Sequence, residues 1–260
     1  MTISIRETLK NVASDKYNKT NIFYFIILSV ITTILGSFLP EDPNILLQLN
    51  NILLIIFYLL FAFILNGIYM VSLNSAINNK KEIIANIIND IEQITTAGLK
   101  SAIGGGIVCI LMIILIAIPF AILIYLNVFL GLLVIPLILA LGIIYIGLFL
   151  NFSVSLKLSE WFSFKKAFYI INLSKNKFSK YVWKISLITI LGIICAFIPA
   201  LILTIIIKLL SIFSIIDPSL CNQIINVITS IVIGIVVGIF SIYSLDLTAE
   251  YIKDAKQVNE

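Results

Sequence analysis

The chain has 260 residues, 61% of them hydrophobic, with a mean hydropathy of +1.15. Only 12% are charged, about half of what a soluble domain carries, so a water-facing globular fold is excluded: too little polar surface exists to cover a core. The net charge is +4 and histidine is absent, which removes the commonest general base, pH switch and metal ligand.

Read in chain order, the first 17 residues place Ile5, Leu9, Val12 and Ala13 at helical spacing beside Arg6, Lys10 and Lys16. That pattern predicts an amphipathic helix lying on a membrane. The first apolar run spans Ile22 to Leu39 and stops at Pro40; no small-residue cleavage site follows it, so a removable leader is not expected. A second span covers Asn51 to Leu73. In "KKEIIANIINDIEQI" the isoleucines at 83, 84, 87, 88, 91 and 94 form one helical stripe, which predicts a second surface helix. Ile103 to Leu156 is a run of 54 residues without a charge, too long for one span and sufficient for two. It divides into Ile103 to Leu126 and Val128 to Leu156, with a turn around Asn127 and Gly131.

The next stretch, "WFSFKKAFYIINLSKNKF", predicts a third surface helix. Phe164, Phe168 and Ile171 form its apolar face, and Lys165, Lys166, Lys175 and Lys177 are placed to meet lipid headgroups. Spans from Ile185 to Ile207 and from Asn222 to Leu245 complete a set of six. The predicted fold is therefore all-α: a single polytopic membrane domain over 1–260, with six transmembrane helices and amphipathic cytoplasmic surface helices.

The order of surface helix, span, span recurs over 1–76, 77–158 and 159–252, which predicts three parallel repeats about an axis along the membrane normal. The units carry prolines at 40, 119 and 199 and end in "VSLN", "VSLK" and "YSLD". The equivalence puts Asn74, Lys157 and Asp246 at one depth and makes a Lys157–Asp246 ion pair a specific expectation. Pro119 and Pro199 lie inside apolar runs that continue beyond them, so these helices are expected to kink by more than about 20° rather than end.

With six spans, 16 of the 17 basic residues fall on the side of the termini and the long connections; Lys208 is the exception. By the positive-inside rule, the termini of this multi-pass protein face the cytoplasm and the membrane is the cell membrane. Anionic membrane lipids, and not nucleic acid, are the partners this basic excess predicts, because no stacking platform or nucleic-acid motif accompanies it. An unidentified membrane protein is the other partner envisaged.

Chemistry is sparsely signalled. No P-loop, GxSxG or HExxH pattern occurs, and no metal or cofactor is predicted. Cys109, Cys195 and Cys221 lack metal or redox spacing and read as packing residues. Gly104 to Gly106, and the GxxxG of Gly234 and Gly238, read as sites of close helix packing. The polar groups in or near spans are Asn66, Asn151, Lys157, Asp246 and Glu250. Interhelical bonding and interfacial anchoring account for them; a polar path for a transported species is the alternative.

The long amphipathic connections, the "IPF" and "IPA" of the odd-numbered spans and the polar ends "SVSLKLSEW" and "SIYSLDLTAEY" carry a resemblance. The chain resembles six-span prokaryotic membrane proteins of unknown function, similar in layout to the membrane domain that precedes some glycerophosphodiester phosphodiesterases. The catalytic domain of those fusions has no counterpart here, so the resemblance implies an accessory membrane protein. The function expected is that of a non-enzymatic, lipid-contacting accessory or scaffold protein. A small transporter or channel is the alternative, and an enzyme acting on lipid ranks third.

Overall fold

The computed structural model of the protein describes residues 19–40, 48–78, 84–126, 128–172, 175–212 and 217–257. They form seven helices in order: α1 Lys19–Ser37, α2 Leu49–Ile77, α3 Ile91–Leu126, α4 Ile135–Ser155, α5 Phe164–Asn172, α6 Lys175–Ile212 and α7 Pro218–Gln257. Short 3₁₀ turns, Val128–Val134 and Leu158–Phe162, flank α4. All of these helices except α5 are long and apolar enough to cross a membrane, which makes the chain a multi-pass, all-α membrane protein.

Three helices are longer than a bilayer requires. α3, α6 and α7 have 36, 38 and 40 residues, or about 54–60 Å at 1.5 Å per residue, against a hydrocarbon thickness of about 30 Å. The excess lies at the lysine-bearing ends: α3 begins at Ile91 instead of Ile103, α6 at Lys175 instead of Ile185, and α7 continues past Leu245 to Gln257. These extensions average out as polar, yet each has a buried face, such as Ile94, Ala97, Gly98 and Ser101 on α3.

Packing is set by small residues. A Cβ at Gly67 of α2 would lie 2.0 Å from the Ile94 carbonyl oxygen, and one at Gly98 of α3 would lie 2.2 Å from that of Phe63. The α2 and α3 backbones therefore touch at a glycine crossing. The expected seam on α7 is present as well: Gly234 faces Val30 Cα and Gly238 faces Ile26 Cα of α1. α7 also runs along α6, and α2 sits centrally against α1, α3, α4 and α7. The unit pairs differ, since α6 lies along α7 much more extensively than α1 along α2 or α3 along α4.

Both internal prolines sit in unbroken helices, Pro119 in α3 and Pro199 in α6, whereas α1 stops at Ser37 ahead of Pro40. Pro136 lies in the first turn of α4, and α7 begins at Pro218; there the missing amide costs no intrahelical bond.

Of the three surface helices predicted, only the last is observed, as the 3₁₀ turn and α5. The first, over residues 1–17, lies outside the described residues, as do the lysines at 80 and 81. The second is corrected: residues 84–90 form turns, and helix begins at Ile91. Local polar bonds explain the difference. Asn86 Oδ1 accepts the amides of Ile88 and Asn89, and Asp90 Oδ2 accepts that of Asn86 at 3.0 Å. Such side chains compete with helical bonding, and Asp90 then caps α3, its carbonyl accepting the Ile94 amide at 2.8 Å. The isoleucines consequently diverge: Ile84 and Ile94 are buried while Ile88 is 76% exposed.

Candidate functional site

The lysine-bearing end gathers most of the polar side chains that link separate elements. Leu156, at the C-terminus of α4, has φ 54°, a left-handed conformation uncommon for a bulky residue. It turns the chain back so that Leu158–Phe162 fold beneath the bundle. Trp161 is thereby fully buried, its ring tilted against Tyr145 and Phe152 and edge-on to Phe149. Its indole lies where a Cβ on Gly104 would be, only 2.3 Å from Cδ1. That accounts for two of the three consecutive glycines, since Gly105 also faces the indole ring whereas Gly106 faces open space.

Glu160 is held beside it. Asn151 Nδ2 donates to the Glu160 carboxylate at 2.7 Å and to its backbone carbonyl at 2.9 Å. Lys166 Nζ reaches the other carboxylate oxygen at 2.7 Å. The Lys166 hydrogen bond, helped by Asn151 and by the charges of Lys166 and Lys157, holds the Glu160 carboxyl below the usual carboxylate range, although burial opposes the shift. Asn151, expected to bond between helices, therefore fastens the surface segment to α4.

With Glu160, Trp161 and Ala167 turned inward, Phe162, Phe164, Phe168 and Tyr169 are exposed together with Lys165. Aromatic rings beside lysine are the composition of a membrane–water interface. Of the four lysines predicted to meet headgroups, Lys165 and Lys166 are exposed, and Lys166 also pairs with Glu160. Lys177 lies 3.7 Å from Asp254 on α7; the Lys175 side chain lies outside the described residues.

A second cluster surrounds α7. Tyr69 Oη pairs with Ser244 Oγ at 3.1 Å and Tyr181 Oη with Thr248 Oγ1 at 3.2 Å. Tyr251 donates to the Ile170 carbonyl at 2.9 Å, and its ring stacks on Tyr181 at 4.7 Å. Asp246 and Glu250 follow each other by one turn here, both half-buried; Asp246 and Asp254 add like charge around Glu250, and Lys184 and Lys253 supply opposing charge. Lys157 adds its charge to the Glu160 cluster, and Asp246 adds its own beside Glu250. Asn66 is half-buried on α2, next to the Gly67 crossing.

Sequence reasoning placed Asn74 at this depth without its partners and missed two further contributors, Asn21 and Ser72. Asn74 Nδ2 donates to the carbonyls of Ser153 and Val154 at 3.1 and 2.7 Å, tying α2 to the end of α4. Asn21 Nδ2 donates to the Ile84 carbonyl at 3.0 Å, and Ser72 Oγ accepts the Ala85 amide at 2.9 Å. A buried asparagine in the last turn of a span is the signal available for Asn74; nothing local marks the other two.

Among the described residues, the groove between α6 and α7 and the cavities at Tyr69 and Tyr58 are lined by side chains other than Asn66, Asn151, Lys157, Asp246 and Glu250. No group of metal-ligating side chains occurs among the described residues. No known protein family, curated protein or solved structure matches the chain.

Proposed function

We propose that the protein is a non-enzymatic accessory or scaffold protein of the cell membrane whose lysine-bearing end, facing the cytoplasm, engages anionic lipid. The observation that carries this reading is the 158–172 segment: buried glutamate and tryptophan fasten it to the bundle while four aromatic rings and Lys165 face outward. A segment fixed in this way presents its interfacial side chains without the entropy cost of ordering them on lipid. The layout resemblance to accessory membrane domains points the same way, and the separation of the polar candidates supports lipid contact over a transport path.

Two experiments test the proposal. Extraction in native lipid followed by analysis of copurifying lipid is expected to show anionic species enriched over the bulk membrane, with added salt reducing the enrichment; bulk composition at every salt concentration contradicts it. Reporter fusions at residue 260 and near residue 90 are expected to read as cytoplasmic and one near Asp42 as external. Opposite faces for the first two overturn the orientation.

A further inference from the structure

At the end of the bundle opposite the lysine-bearing one, α1, α2 and α7 border a cavity of about 410 Å³, within the size range of small-ligand sites. It begins where the glycine seam stops. α1 and α7 run antiparallel, with Gly238 against Ile26 and Gly234 against Val30. One turn further, the α7 row reaches Ser230 and the α1 row reaches Thr33, and both line the cavity. Tyr58 supplies the wall from α2, its ring 3.2 Å from where a Cβ on Gly36 would lie. Ser37, exposed at the end of α1, stands at the mouth, and Thr32 lies about 7.5 Å deeper at 1.5 Å per residue.

Hydroxyl groups dominate the lining. Among the described residues it consists of Thr32, Thr33, Ser37, Tyr58 and Ser230 with Gly36 and Ile233, and carries no charge. Three of the hydroxyls have committed their protons: Thr32, Thr33 and Ser37 donate at 2.8 Å to the carbonyls of Leu28, Ser29 and Ile34. Each keeps lone pairs to offer the cavity. Ser230 is only 4% exposed, and among the described residues neither its hydroxyl nor that of Tyr58 has a hydrogen-bond partner. Burying a hydroxyl without a partner is unfavourable, so these two protons are available to whatever enters.

This balance of donors and acceptors selects the ligand. A phosphate or carboxylate, which only accepts, would meet three oxygens with no proton to give and no cation. A bare metal ion would leave most of the space unfilled and its charge unbalanced. A group carrying several hydroxyls fits both halves of the lining: it donates to Thr32, Thr33 and Ser37 and accepts from Ser230 and Tyr58.

We propose that this cavity binds an uncharged polyhydroxyl group, a sugar ring or glycerol, carried by a lipid headgroup or free at the membrane surface. The site lies across the bundle from the 158–172 segment and does not depend on the reading of that segment.

The test is native mass spectrometry of the full-length protein in a detergent without sugar. It is titrated with monoglucosyl diacylglycerol or with phosphatidylcholine of identical chains, whose headgroup has no proton to donate. The glucolipid is expected to be held about tenfold more tightly. Ser230→Ala, Tyr58→Phe and Thr33→Val, which nearly keep the shape of the lining, should each lower glucolipid retention about fivefold, the loss of one hydrogen bond. Unchanged retention of phosphatidylcholine shows that these variants are folded. Thr189→Val, on the exposed face of α6, should alter neither lipid. Displacement of the glucolipid by free glucose assigns the cavity to the sugar whatever carries it, and resistance to glucose assigns it to a lipid headgroup; either result supports the site when the three variants weaken retention. Equal retention of the two lipids with no binding of glucose, or a preference that survives all three variants, overturns it.

Discussion

The two ends of the bundle use their polar side chains differently. At the lysine-bearing end some hydroxyls, such as Ser153 and Thr248, also donate within their own helix, but four groups bond across elements: Asn21 to the loop at Ile84, Asn74 to the end of α4, Asn151 to Glu160 and Tyr69 to Ser244. Toward the other end Thr32, Thr33, Ser37 and Thr204 each donate within their own helix, to Leu28, Ser29, Ile34 and Ala200. There α1, α2 and α7 border a cavity of about 410 Å³. A hydroxyl bonded to its own helix satisfies itself in hydrocarbon but joins nothing. The lysine-bearing end is therefore the specified part of the molecule, and the opposite half is largely apolar helix facing lipid.

The comparison breaks most readily at the glycine crossing. Gly98→Leu is expected to abolish recovery of monodisperse protein, because even a Cβ there meets the Phe63 carbonyl at 2.2 Å. Gly106→Ala and Gly142→Ala, which face open space, should be indistinguishable from wild type by size exclusion and thermal melting. Recovery of Gly98→Leu at wild-type levels would mean that the α2–α3 contact is looser than described.

Next in size is Trp161→Ala. Removing a fully buried indole should destabilise by about 3–5 kcal/mol, whereas Ile198→Ala, half exposed on α6, should change stability by less than about 0.5 kcal/mol. Equal losses by chemical denaturation in detergent would erase the contrast between the ends.

A smaller loss is expected for Asn74→Leu. It leaves the Ser153 and Val154 carbonyls without their buried donor, at a cost of about 1–3 kcal/mol. Thr32→Val, which removes a bond within a single helix, should cost less in the same assay.

The six spans were legible because a bilayer imposes a length and composition that hydropathy measures directly. The GxxxG seam was legible because both glycines sit on one face of one helix. The Gly67–Gly98 crossing was not, since its partners lie on different helices and each glycine alone is unremarkable. The boundaries of α3, α6 and α7 were missed because a hydropathy average does not distinguish a half-buried extension from a loop. Leu156 hid the candidate site: no propensity rule puts leucine in the left-handed region, yet that turn brings Glu160 back to Asn151. Asn86 and Asp90 could have warned against a second surface helix, but the regular isoleucine stripe outweighed them.

The mildest perturbation is pH. The Glu160 carboxyl is held below the usual range by Lys166, so its contribution to docking the 158–172 segment is fully present above the unfolded value, about 4.3. It fades as pH falls through the lowered folded value. Exchange protection of this segment should be constant from neutral pH to about 5 and drop under stronger acid. Glu160→Gln should remove that dependence, and a drop already at pH 6 in the wild type would assign the transition to another group.

The account rests most heavily on the lysine-bearing end being a lipid-headgroup surface. A direct measurement places tryptophan at Phe168 in a Trp183→Phe background, leaving buried Trp161 as a constant baseline, and reads quenching by brominated lipids in mixed bilayers. Brominated anionic lipid is predicted to quench the new tryptophan well beyond its mole fraction at low salt, with the excess shrinking as salt rises. Quenching that follows mole fraction equally for anionic and zwitterionic lipid would contradict it.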